Sequence, residues 1–479
     1  MALRRQVSEA RATFPDPVRG LNLRAAEQDL QRGEARLMQN CVYDGGTRSR
    51  KGSGKITTTT LDATKRIRGL TKFYYGGVNP TGKRLVAYST KISVIADVGT
   101  ETILNSGMTS DLDTFFCTWT IDDKVYISNG TDVIRSYDGT TFATVAGTNI
   151  PTARGPIIPV SDRLLCITTN GIERSDPRSA TIWSSNSSWA TFRPQQAGLF
   201  TALHAGTMKG ADTIYSGAFA FQANAHYLIQ GTDFGSSVIA GTASAGEDAS
   251  IQLMDPRVGT SSPYSIVSVP GVGIFWITSD VNVYMISEGT LTGKFVGDKL
   301  VSNNSTDGLE NVNRAAISQI WGVYWNRYLI FGFPMGSDTW PSTQFWLDLR
   351  GFDTANTAKE GPNAGIVWYG PMTGQTVGRA FAETQNGNNT LSGGEGNPTT
   401  GAFVYELQKA STFTDAIGTV DTNITVKYRT HFEDFGAPSR EKYVRAIHFD
   451  LQVPSGSALA NIYDLDGLTQ FNVPIEEVD

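Results

Sequence analysis

The side chains best suited to acid–base or metal chemistry are scattered along this sequence. The four histidines stand singly, without the H-x-x-x-H spacing that places two imidazoles on one helix face: His204, His226, His431 and His448. A packed or exposed structural role suits each better than metal ligation or general-base catalysis. The sequence also lacks a G-x-S-x-G elbow, a P-loop and Rossmann glycine spacing. We therefore predict no enzymatic activity of these classes and no cofactor.

Carboxylate pairs are harder to assess, because propeller glycosidases bring two carboxyl groups together from different blades. The stretch Ser136-Tyr-Asp138-Gly-Thr-Thr-Phe142 resembles the Asp-box turn of sialidase-like propellers, but its glycine follows the aspartate directly. Asp-Gly is also a favoured hairpin pair, since both residues tolerate positive φ in a type I′ turn. The turn is the simpler interpretation. Asp464-Leu-Asp466-Gly467 lacks the remaining oxygen ligands of a calcium loop, so no metal site is predicted.

Tryptophans could line a carbohydrate-binding surface, yet they stand in alternating apolar stretches that equally suit packing between sheets. They include Trp183, Trp189, Trp321, Trp325, Trp340, Trp346 and Trp368. Packing is the preferred interpretation, and sugar binding remains an alternative. The three cysteines, at positions 41, 117 and 166, are far apart and form no C-x-x-C pair. They are expected to be buried, reduced thiols.

Charge is unevenly distributed along the chain. Residues 1–72 hold 15 Lys or Arg and 7 Asp or Glu, a balance of +8. Because the whole chain carries −6, residues 73–479 carry −14. A basic leading segment on an acidic body is typical of contact with an acidic protein surface or nucleic acid, although a solvated basic arm would have the same composition.

Composition and the ends of the chain favour a soluble β protein. Fifty glycines and only 18% charged residues indicate many turns and short strands rather than helical bundles. The N-terminus lacks the apolar core of a signal peptide, and no later run reaches the length of an apolar membrane span. Synthesis in a cytoplasm and no membrane contact are the expectations.

An internal repeat organises the first part of the chain. Gly82-Lys-Arg-Leu-Val-Ala-Tyr, Asp123-Lys-Val-Tyr-Ile-Ser and Asp162-Arg-Leu-Leu-Cys-Ile align so that Arg84, Lys124 and Arg163 fall 40 and 39 residues apart. Each copy begins at a turn and continues as an apolar strand. About 40 residues with several strands is the size of one propeller blade, which must stack on neighbours to bury both faces.

Weaker echoes follow at wider spacing, as in Asn224–Gln230, Gly273–Asp280 and Asn326–Phe333. The Gly/Ser/Thr/Asn-rich stretches 232–249 and 384–400 are expected to be surface loops. The sequence thus predicts an all-β fold, a β-propeller of about six irregular blades; a β-sandwich is the alternative, because it has turns at similar density.

The propeller is expected over residues 61–410, between two smaller segments. Residues 1–60 should form an N-terminal arm, with a short helix or helical turn in the stretch AAEQDLQRGEARLMQN. Residues 411–479 should form C-terminal strands, as a separate unit or as part of the last blade. Within them, 423–432 and 443–453 alternate cleanly and are expected to pair with each other.

Nearly the whole chain resembles a family of tailed-bacteriophage virion proteins, the propeller-shaped hub or nozzle proteins below the portal, also called DNA-stabilisation proteins. The resemblance depends on the order of short phrases rather than on any one of them. They are Gly20-Leu-Asn-Leu-Arg, Arg32-Gly-Glu-Ala-Arg-Leu-Met-Gln-Asn40, Arg48-Ser-Arg-Lys-Gly52, Tyr137-Asp-Gly139, Asp162-Arg-Leu164, Ile182-Trp-Ser-Ser185 with Trp189 and Phe192, and Phe432-Glu-Asp-Phe-Gly-Ala-Pro438 with Lys442.

This resemblance implies a homo-hexameric ring in the virion tail, attached to a portal or adaptor protein and to distal tail proteins, with genomic double-stranded DNA in its lumen. An acidic lumen would repel phosphates and let DNA slide. The basic residues expected at the ring or adaptor interface are Arg4, Arg5, Arg11, Arg19, Arg24, Arg48, Arg50 and Lys51. A propeller glycosidase acting on host polysaccharide and a sugar-binding tail module are the alternatives.

Overall fold

The structure is a computed structural model that divides into two units, residues 1–432 and 433–479. It describes residues 16–26, 29–77, 80–169, 171–183, 198–209, 214–230, 250–288, 293–302, 304, 306, 308–350, 365–385, 388–430, 458–463 and 469–475. The described part is almost entirely β, as the glycine-rich, weakly charged composition predicts. Among the described residues, short 3-10 helices between strands include Pro263–Ser265, Asp298–Leu300, Gly308–Asn311 and Arg314–Gln319.

Five short strands precede the repeats. They are β1 (Gly20–Leu21), β2 (Glu34–Gln39), β3 (Cys41–Tyr43), β4 (Thr47–Ser49) and β5 (Gly54–Lys55). Strands β3 and β4 form a hairpin. We call residues 16–55 the N-terminal strap, because its strands are distributed over several parts of the first unit.

Seven antiparallel sheets then follow one another along the described chain, and six of them are meanders in sequence order, while the seventh takes its last strand from the strap. Sheet A contains β6 (Ile67–Tyr75), β7 (Thr81–Tyr88), β8 (Lys91–Ile95) and β9 (Glu101–Asn105). Sheet B contains β10 (Phe115–Trp119), β11 (Lys124–Ser128), β12 (Arg135–Tyr137) and β13 (Phe142–Thr144). Sheet C contains β14 (Ile157–Val160), β15 (Arg163–Thr168) and β16 (Gly171–Arg174).

The other four sheets each have four strands. Sheet D contains β17 (Ala202–Lys209), β18 (Ile214–Phe221), β19 (His226–Gln230) and β20 (Ser250–Asp255). Sheet E contains β21 (Val267–Val269), β22 (Gly273–Ile277), β23 (Val283–Ser287) and β24 (Gly293–Phe295). Sheet F contains β25 (Trp321–Trp325), β26 (Tyr328–Phe333), β27 (Thr343–Asp348) and β28 (Val367–Met372). Sheet G contains β29 (Val377–Gln385), β30 (Asn388–Glu395), β31 (Val404–Leu407) and the strap strand β5.

Apolar cores between successive sheets close the seven sheets into a ring. Separate buried clusters join A to B, B to C, C to D, D to E, E to F and F to G. A further cluster joins G back to A, through residues such as Val404 and Ile67. The first strands of G and A also contact each other directly. A ring of meander sheets, each packed on two neighbours with its first strand innermost, is a β-propeller.

The last sheet is completed from the other end of the chain. Strand β5 pairs antiparallel with β31, matching Lys55 to Tyr405 and Gly54 to Glu406. The strap therefore supplies the outer strand of sheet G. Upstream, β1 and β2 form a small sheet with β34 (Lys427–Thr430), while β32 (Thr414–Ile417) and β33 (Val420–Asn423) form a hairpin. In the second unit, β35 (Ala458–Tyr463) pairs with β36 (Thr469–Ile475).

The three aligned phrases occupy equivalent places in the fold. They form β7, β11 and β15, which are the second strands of sheets A, B and C. In sheet D the echo at Asn224–Gln230 falls on the third strand instead, because the second strand, β18, has the sequence IYSGAFAF and carries no turn-plus-basic start. The repeated phrase therefore lies on a different strand in sheet D than in sheets A, B and C. For this reason the weaker copies of the phrase do not predict the number of sheets.

Two expectations about local structure are wrong. The stretch 384–400 is not a surface loop, because β30 runs through it and residues 391–396 are buried. Its glycines permit close packing: a Cβ on Gly394 would lie 2.5 Å from Ile67 Cγ2, and one on Gly393 would lie 2.7 Å from Leu407 Cδ1. The helix expected in the strap is also wrong over Glu34–Gln39, which forms β2; pairing with β34 overrides its helix propensity.

Other expectations fall partly or wholly outside the described residues. The stretch 232–249 and the strand expected at 443–453 lie outside them. The expected pairing of 423–432 with 443–453 is therefore untested, although β34 pairs on one side with β2. The Asp-Gly turn is described and differs from a two-residue type I′ turn: residues 138–141 connect Tyr137 to Phe142, and Asp138 Oδ1 accepts hydrogen bonds from the amides of Thr140 (2.8 Å) and Thr141 (2.7 Å).

Candidate functional site

The basic residues predicted to contact a partner lie in different environments. Arg4, Arg5 and Arg11 are outside the described residues. The side chains of Arg19, Arg24, Arg48 and Lys51 are exposed on the strap. Arg24 pairs with Asp298 at 3.6 Å, and Arg19 donates a hydrogen bond to Gln31. All four side chains are exposed on the first unit, and their contact with a partner stays a prediction.

Arg50 does not belong with them, because its guanidinium is buried inside this chain. The residue is 2% exposed. It forms a two-pronged ion pair with Asp415, in which Nη1 is 2.8 Å from Oδ1 and Nη2 contacts Oδ2. Nε donates to Asn40 Oδ1 at 3.0 Å, and Nη2 also donates to the Thr373 carbonyl at 2.7 Å. With its donors engaged by strap and propeller, Arg50 is a structural link and not an interface residue.

Asn40 completes this link from the strap side. Its backbone has φ of 57°, a left-handed conformation that Asn tolerates better than most residues. Its Oδ1 accepts from the Thr373 amide at 2.7 Å as well as from Arg50, and its Nδ2 donates to the Thr425 carbonyl at 2.8 Å. The strap, sheet F and the segment after β33 thus meet at one amide. We call Asn40, Arg50, Thr373 and Asp415 the strap lock.

The β3–β4 hairpin is held from sheet F by two arginines. Arg350 donates to Asp44 at 2.8 Å and to the Tyr43 carbonyl at 2.8 Å, while Arg327 pairs with Asp44 at 3.0 Å. Desolvation opposes ionisation of Asp44, but these two guanidiniums outweigh it and hold its pKa below the ordinary value. The opposite side of the hairpin carries the exposed Arg48. Arg48 is therefore presented on an anchored element.

A second group of charged side chains lies inside the ring, where innermost strands begin. We call it the axial cluster: Arg66 and Arg68 of sheet A, Asp113 before β10, Tyr264 before β21, Gln319 before β25 and Arg379 of β29. Asp113 Oδ1 pairs with Arg379 at 2.6 Å and with Arg68 at 3.5 Å. Asp113 Oδ2 accepts from Gln319 Nε2 at 3.2 Å. Side chains from sheets A, B, F and G therefore converge on one carboxylate.

Tyr264 reaches this group from the connection between sheets D and E. Its ring stacks on Phe115 with centroids 4.6 Å apart, and the Arg379 guanidinium lies 3.8 Å from its centroid. Its hydroxyl donates to the carbonyls of Arg68 at 3.1 Å and Thr114 at 2.5 Å. Burial is the largest cause of the raised pKa of this phenol. Tyr264 thus joins the connection between sheets D and E to residues of sheets A, B and G inside the ring.

A cleft of about 280 Å³ opens beside the axial cluster. It is lined by Thr64, Lys65, Arg66, Arg68, Asp111, Thr339 and Pro398. Lys65 pairs with Asp111 at 2.5 Å, whereas Arg66 donates to the Thr339 carbonyl at 3.1 Å and forms no ion pair with any described residue. Burial, followed by the charges of Arg68 and Arg379, lowers the pKa of Arg66 to about 10. The cleft therefore has more positive charge than its own carboxylates compensate.

Further along the innermost strands of sheets A and G lies a separate, balanced pair. Lys72 Nζ is 2.9 Å from Glu383 Oε1, with side chains 9% and 8% exposed. Tyr74 donates to the other oxygen of Glu383. The pKa of Tyr74 is raised, by burial first and by this carboxylate second. The interior of the ring thus has a one-to-one ion pair at this level, unlike the axial cluster.

The residues considered for catalysis have structural surroundings where the structure describes them. His226 is 2% exposed and packs edge-on against Trp276, and its Nδ1 lies 2.7 Å from the Val258 carbonyl. Burial lowers the pKa of His204, which contacts Ser268, to about 4. His431, His448, Asp464 and Asp466 lie outside the described residues. Among described residues, no group of three His, Cys, Asp or Glu side chains could hold a metal ion.

The tryptophans and cysteines mainly pack between sheets. Trp183, Trp321, Trp346 and Trp368 are at most 2% exposed, Trp325 and Trp340 are half-buried, and Trp189 is outside the described residues. The packing interpretation is confirmed for the first four. All three cysteines are free and buried, as expected, and burial raises the pKa of Cys41 and Cys117 to about 12. No described helix is long and apolar enough to cross a membrane.

Comparison with known proteins gives no family and only distant structural similarity. No family model matches it, and no curated protein matches it. Similar solved structures include YCF48 from Cyanidioschyzon merolae, with a TM-score of 0.42 and 8% identity over 74% of this chain and 98% of that one. The WD40 β-propeller domain of Doa1 gives 0.41 and 8%, covering 74% and 98%, and the computationally designed Ika8 protein gives 0.39 and 10%, covering 74% and 100%. The propeller assignment itself depends on the sheet order and the closed ring of cores.

Proposed function

We propose that this protein is a structural subunit of a bacteriophage tail, assembled as a ring of identical copies below the portal and around the exit path of the DNA. The ordered phrases from Gly20 to Lys442 support this role, and they carry the proposal. In this view the protein is not an enzyme, and its site of action is the virion.

The arrangement of the strap supports an interface there. The strap lock and the Asp44 contacts fix the strap to the propeller, so its exposed cations are held on an ordered element. Four of them, Arg19, Arg24, Arg48 and Lys51, are exposed. Ordered cations lose little entropy when they bind a carboxylate-rich neighbour, and complementary charge also speeds association. An adjacent copy supplies such a surface, because residues 73–479 carry −14.

The side chains inside the propeller bear on where DNA would pass. Tyr264 and Arg379 occupy the ring at the axial cluster. A DNA duplex would therefore run between copies, through the centre of the assembled ring, and not through a single propeller. We expect the wall of that passage to be acidic, because like charge prevents phosphates from adhering to it. A basic wall in a structure of the assembled ring would contradict this part of the proposal.

The ring can be tested by measuring mass in solution, alone and mixed with a portal or adaptor protein. A hexamer would weigh roughly 311 kDa, six times 51.8 kDa. We expect Arg48→Glu with Lys51→Glu to reduce the ring population strongly. Arg178→Glu with Arg257→Glu, an equal charge change at exposed sites just after sheets C and D, should leave it intact. A protein that stays monomeric alone and with every partner would overturn the proposal.

A second test addresses the first residues of the chain. Removing residues 1–19 takes away four of the predicted interface arginines, Arg4, Arg5, Arg11 and Arg19. We expect particle assembly to fall in a complementation assay, while the propeller keeps its unfolding midpoint. Undiminished assembly would remove this segment from the interface.

A further inference from the structure

The cleft beside the axial cluster has an excess of positive charge that the chain itself does not compensate. Four cations surround it or lie directly behind it: Lys65, Arg66, Arg68 and Arg379. Two carboxylates, Asp111 and Asp113, lie among them. Four positive charges less two negative ones leave +2 around the cleft.

The pairing within the cleft leaves two guanidiniums open to a ligand. Asp111 is engaged by Lys65 at 2.5 Å, and Asp113 lies closest to Arg379 at 2.6 Å. Arg68 is left with a long 3.5 Å contact to Asp113, and its Nε is buried without a hydrogen-bond partner. Arg66 reaches only the Thr339 carbonyl among described residues. Arg66 and Arg68 both line the cleft, so an oxyanion bound there would accept charge-assisted hydrogen bonds from their guanidiniums.

The geometry points to an oxyanion site in this cleft, formed by Arg66, Arg68 and Lys65, that binds a phosphate group as its dianion. Guanidiniums that converge from separate positions suit a tetrahedral oxyanion, since each can donate to a different oxygen. The cleft volume of about 280 Å³ leaves space for a phosphate and a small substituent. The ligand can therefore be free phosphate or a phosphate monoester. This site does not depend on ring assembly.

Uncompensated charge also has a consequence for stability. Burial is the largest cause of the lowered pKa of Arg66, and the charges of Arg68 and Arg379 lower it further, so the three guanidiniums repel one another in the folded protein. Removing Arg66 should therefore leave stability unchanged or raise it in the absence of ligand. Phosphate should raise the thermal unfolding midpoint of the natural protein, because a ligand that binds only the folded state stabilises it.

The experiment is titration calorimetry of the full chain with inorganic phosphate at low ionic strength, followed by the melting temperature with and without phosphate. We expect saturable binding of one phosphate per chain. Arg66→Gln and Arg68→Gln should each weaken it about tenfold or more, the loss of one charge-assisted contact. Arg257→Gln, at an exposed arginine of the segment after sheet D, is the matched control and should bind normally.

Two further ligands distinguish the source and the class of the anion. If phenyl phosphate binds with the same affinity as inorganic phosphate, the cleft accepts phosphate monoesters. If phenyl phosphate does not bind, the cleft is a site for free phosphate. Malonate, a dicarboxylate of the same charge, should bind more weakly. Absence of saturable phosphate binding, unchanged affinity in Arg66→Gln, or tighter binding of malonate would overturn the site. The melting temperature of Arg66→Gln shows that a loss of binding does not come from unfolding.

Discussion

The strap lock and the axial cluster both join arginine to aspartate inside the first unit, and they differ in how charge is balanced. In the strap lock, Arg50 meets Asp415 in a two-pronged pair, and its other donors are taken by Asn40 and backbone carbonyls. In the axial cluster, three guanidiniums share Asp113 and its surroundings, and two of them keep unsatisfied or weakly satisfied donors. The first arrangement is complete within the chain, and the second is not.

This difference in charge balance distinguishes a contact that holds two segments of the chain together from a site that can bind a ligand. A complete ion pair in a buried place fixes the relative position of two segments, here the strap and the residues around 415. In the axial cluster, where the ion pairs are incomplete, Arg66 and Arg68 line a cleft and can donate hydrogen bonds to a ligand there. Arginine and aspartate therefore fix two segments together in one place and leave donors for a ligand in the other. The presence or absence of a cleft beside the pair distinguishes the two roles. Variants that remove one aspartate at a time test this interpretation.

The largest effect is expected from Asp415→Ala in the strap lock. Without its partner, the Arg50 charge stays buried and uncompensated, which costs about 3–5 kcal/mol of unfolding free energy. Urea unfolding followed by tryptophan fluorescence measures the loss. Arg48→Ala, at an exposed arginine of the same strap, is the control and should change stability by less than about 0.5 kcal/mol. Equal effects of the two variants would contradict the fastening role.

A smaller loss is expected from Asp113→Asn in the axial cluster, about 1.5–3 kcal/mol, because hydrogen bonds to a charged acceptor are replaced by neutral ones. Phosphate should recover part of the stability lost in Asp113→Asn, because the cleft admits an anion beside the guanidiniums that have lost their carboxylate. Asp415→Asn should show no such recovery, because Arg50 is 2% exposed. The measurement is urea unfolding with phosphate or chloride at equal ionic strength, and recovery in both variants would remove the distinction.

Docking of the strap can be disturbed without touching any charge. A Cβ on Gly52 would lie 2.0 Å from the Thr414 carbonyl oxygen, next to the strap lock. Gly52→Ala should therefore destabilise the protein by about 1–3 kcal/mol through overpacking. Gly46→Ala in the β3–β4 hairpin, where a Cβ meets nothing within 4 Å, is the matched control and should be nearly neutral. If both glycines tolerate alanine, the strap is not held as closely as the structure indicates.

The smallest effect concerns Asp111, at the edge of the cleft. Desolvation raises its pKa, but hydrogen bonds from Lys65 and Ser110 and the charge of Lys65 outweigh it, and the net pKa is lowered. A lowered folded-state pKa contributes stability that is present above the unfolded value, about 4, and is lost as pH falls through the folded value. Since the pair is partly exposed, Asp111→Asn should cost less than about 1 kcal/mol at pH 7. That difference should shrink as pH falls below about 4, towards and through the lowered folded-state pKa. A difference that stays constant with pH would exclude the ion pair as its source.

The repeat made much of the fold predictable. Turn, basic residue and apolar strand recur because each sheet must present the same face to its neighbour, and β7, β11 and β15 show this directly. The repeat pattern does not predict a strand where buried positions are occupied by glycine and not by larger apolar residues. Gly393 and Gly394 lie in a buried strand against Leu407 and Ile67, yet glycine-rich composition favours a loop when only the sequence is known.

The candidate sites were predictable only in part. A basic N-terminal segment is visible in the sequence, but the burial of Arg50 depends on Asp415, 365 positions later. The axial cluster depends on residues from five sheets or their connections, with Asp113 and Arg379 separated by 266 positions. Local spacing carries no signal for such groups, because the ring brings them together. An Arg-x-Arg pair at 66 and 68, just before and at the start of an innermost strand, is the one local sign of the cleft.

The pairing of β5 with β31 has a consequence for biogenesis. Lys55 leaves the ribosome long before Tyr405, the residue with which it pairs. Strand β5 therefore lacks its partner strand during most of translation. Contacts this distant in sequence form slowly. Strand β5 therefore remains unpaired until Val404–Leu407 have been made, and a chaperone or a premature neighbour would bind it during that interval.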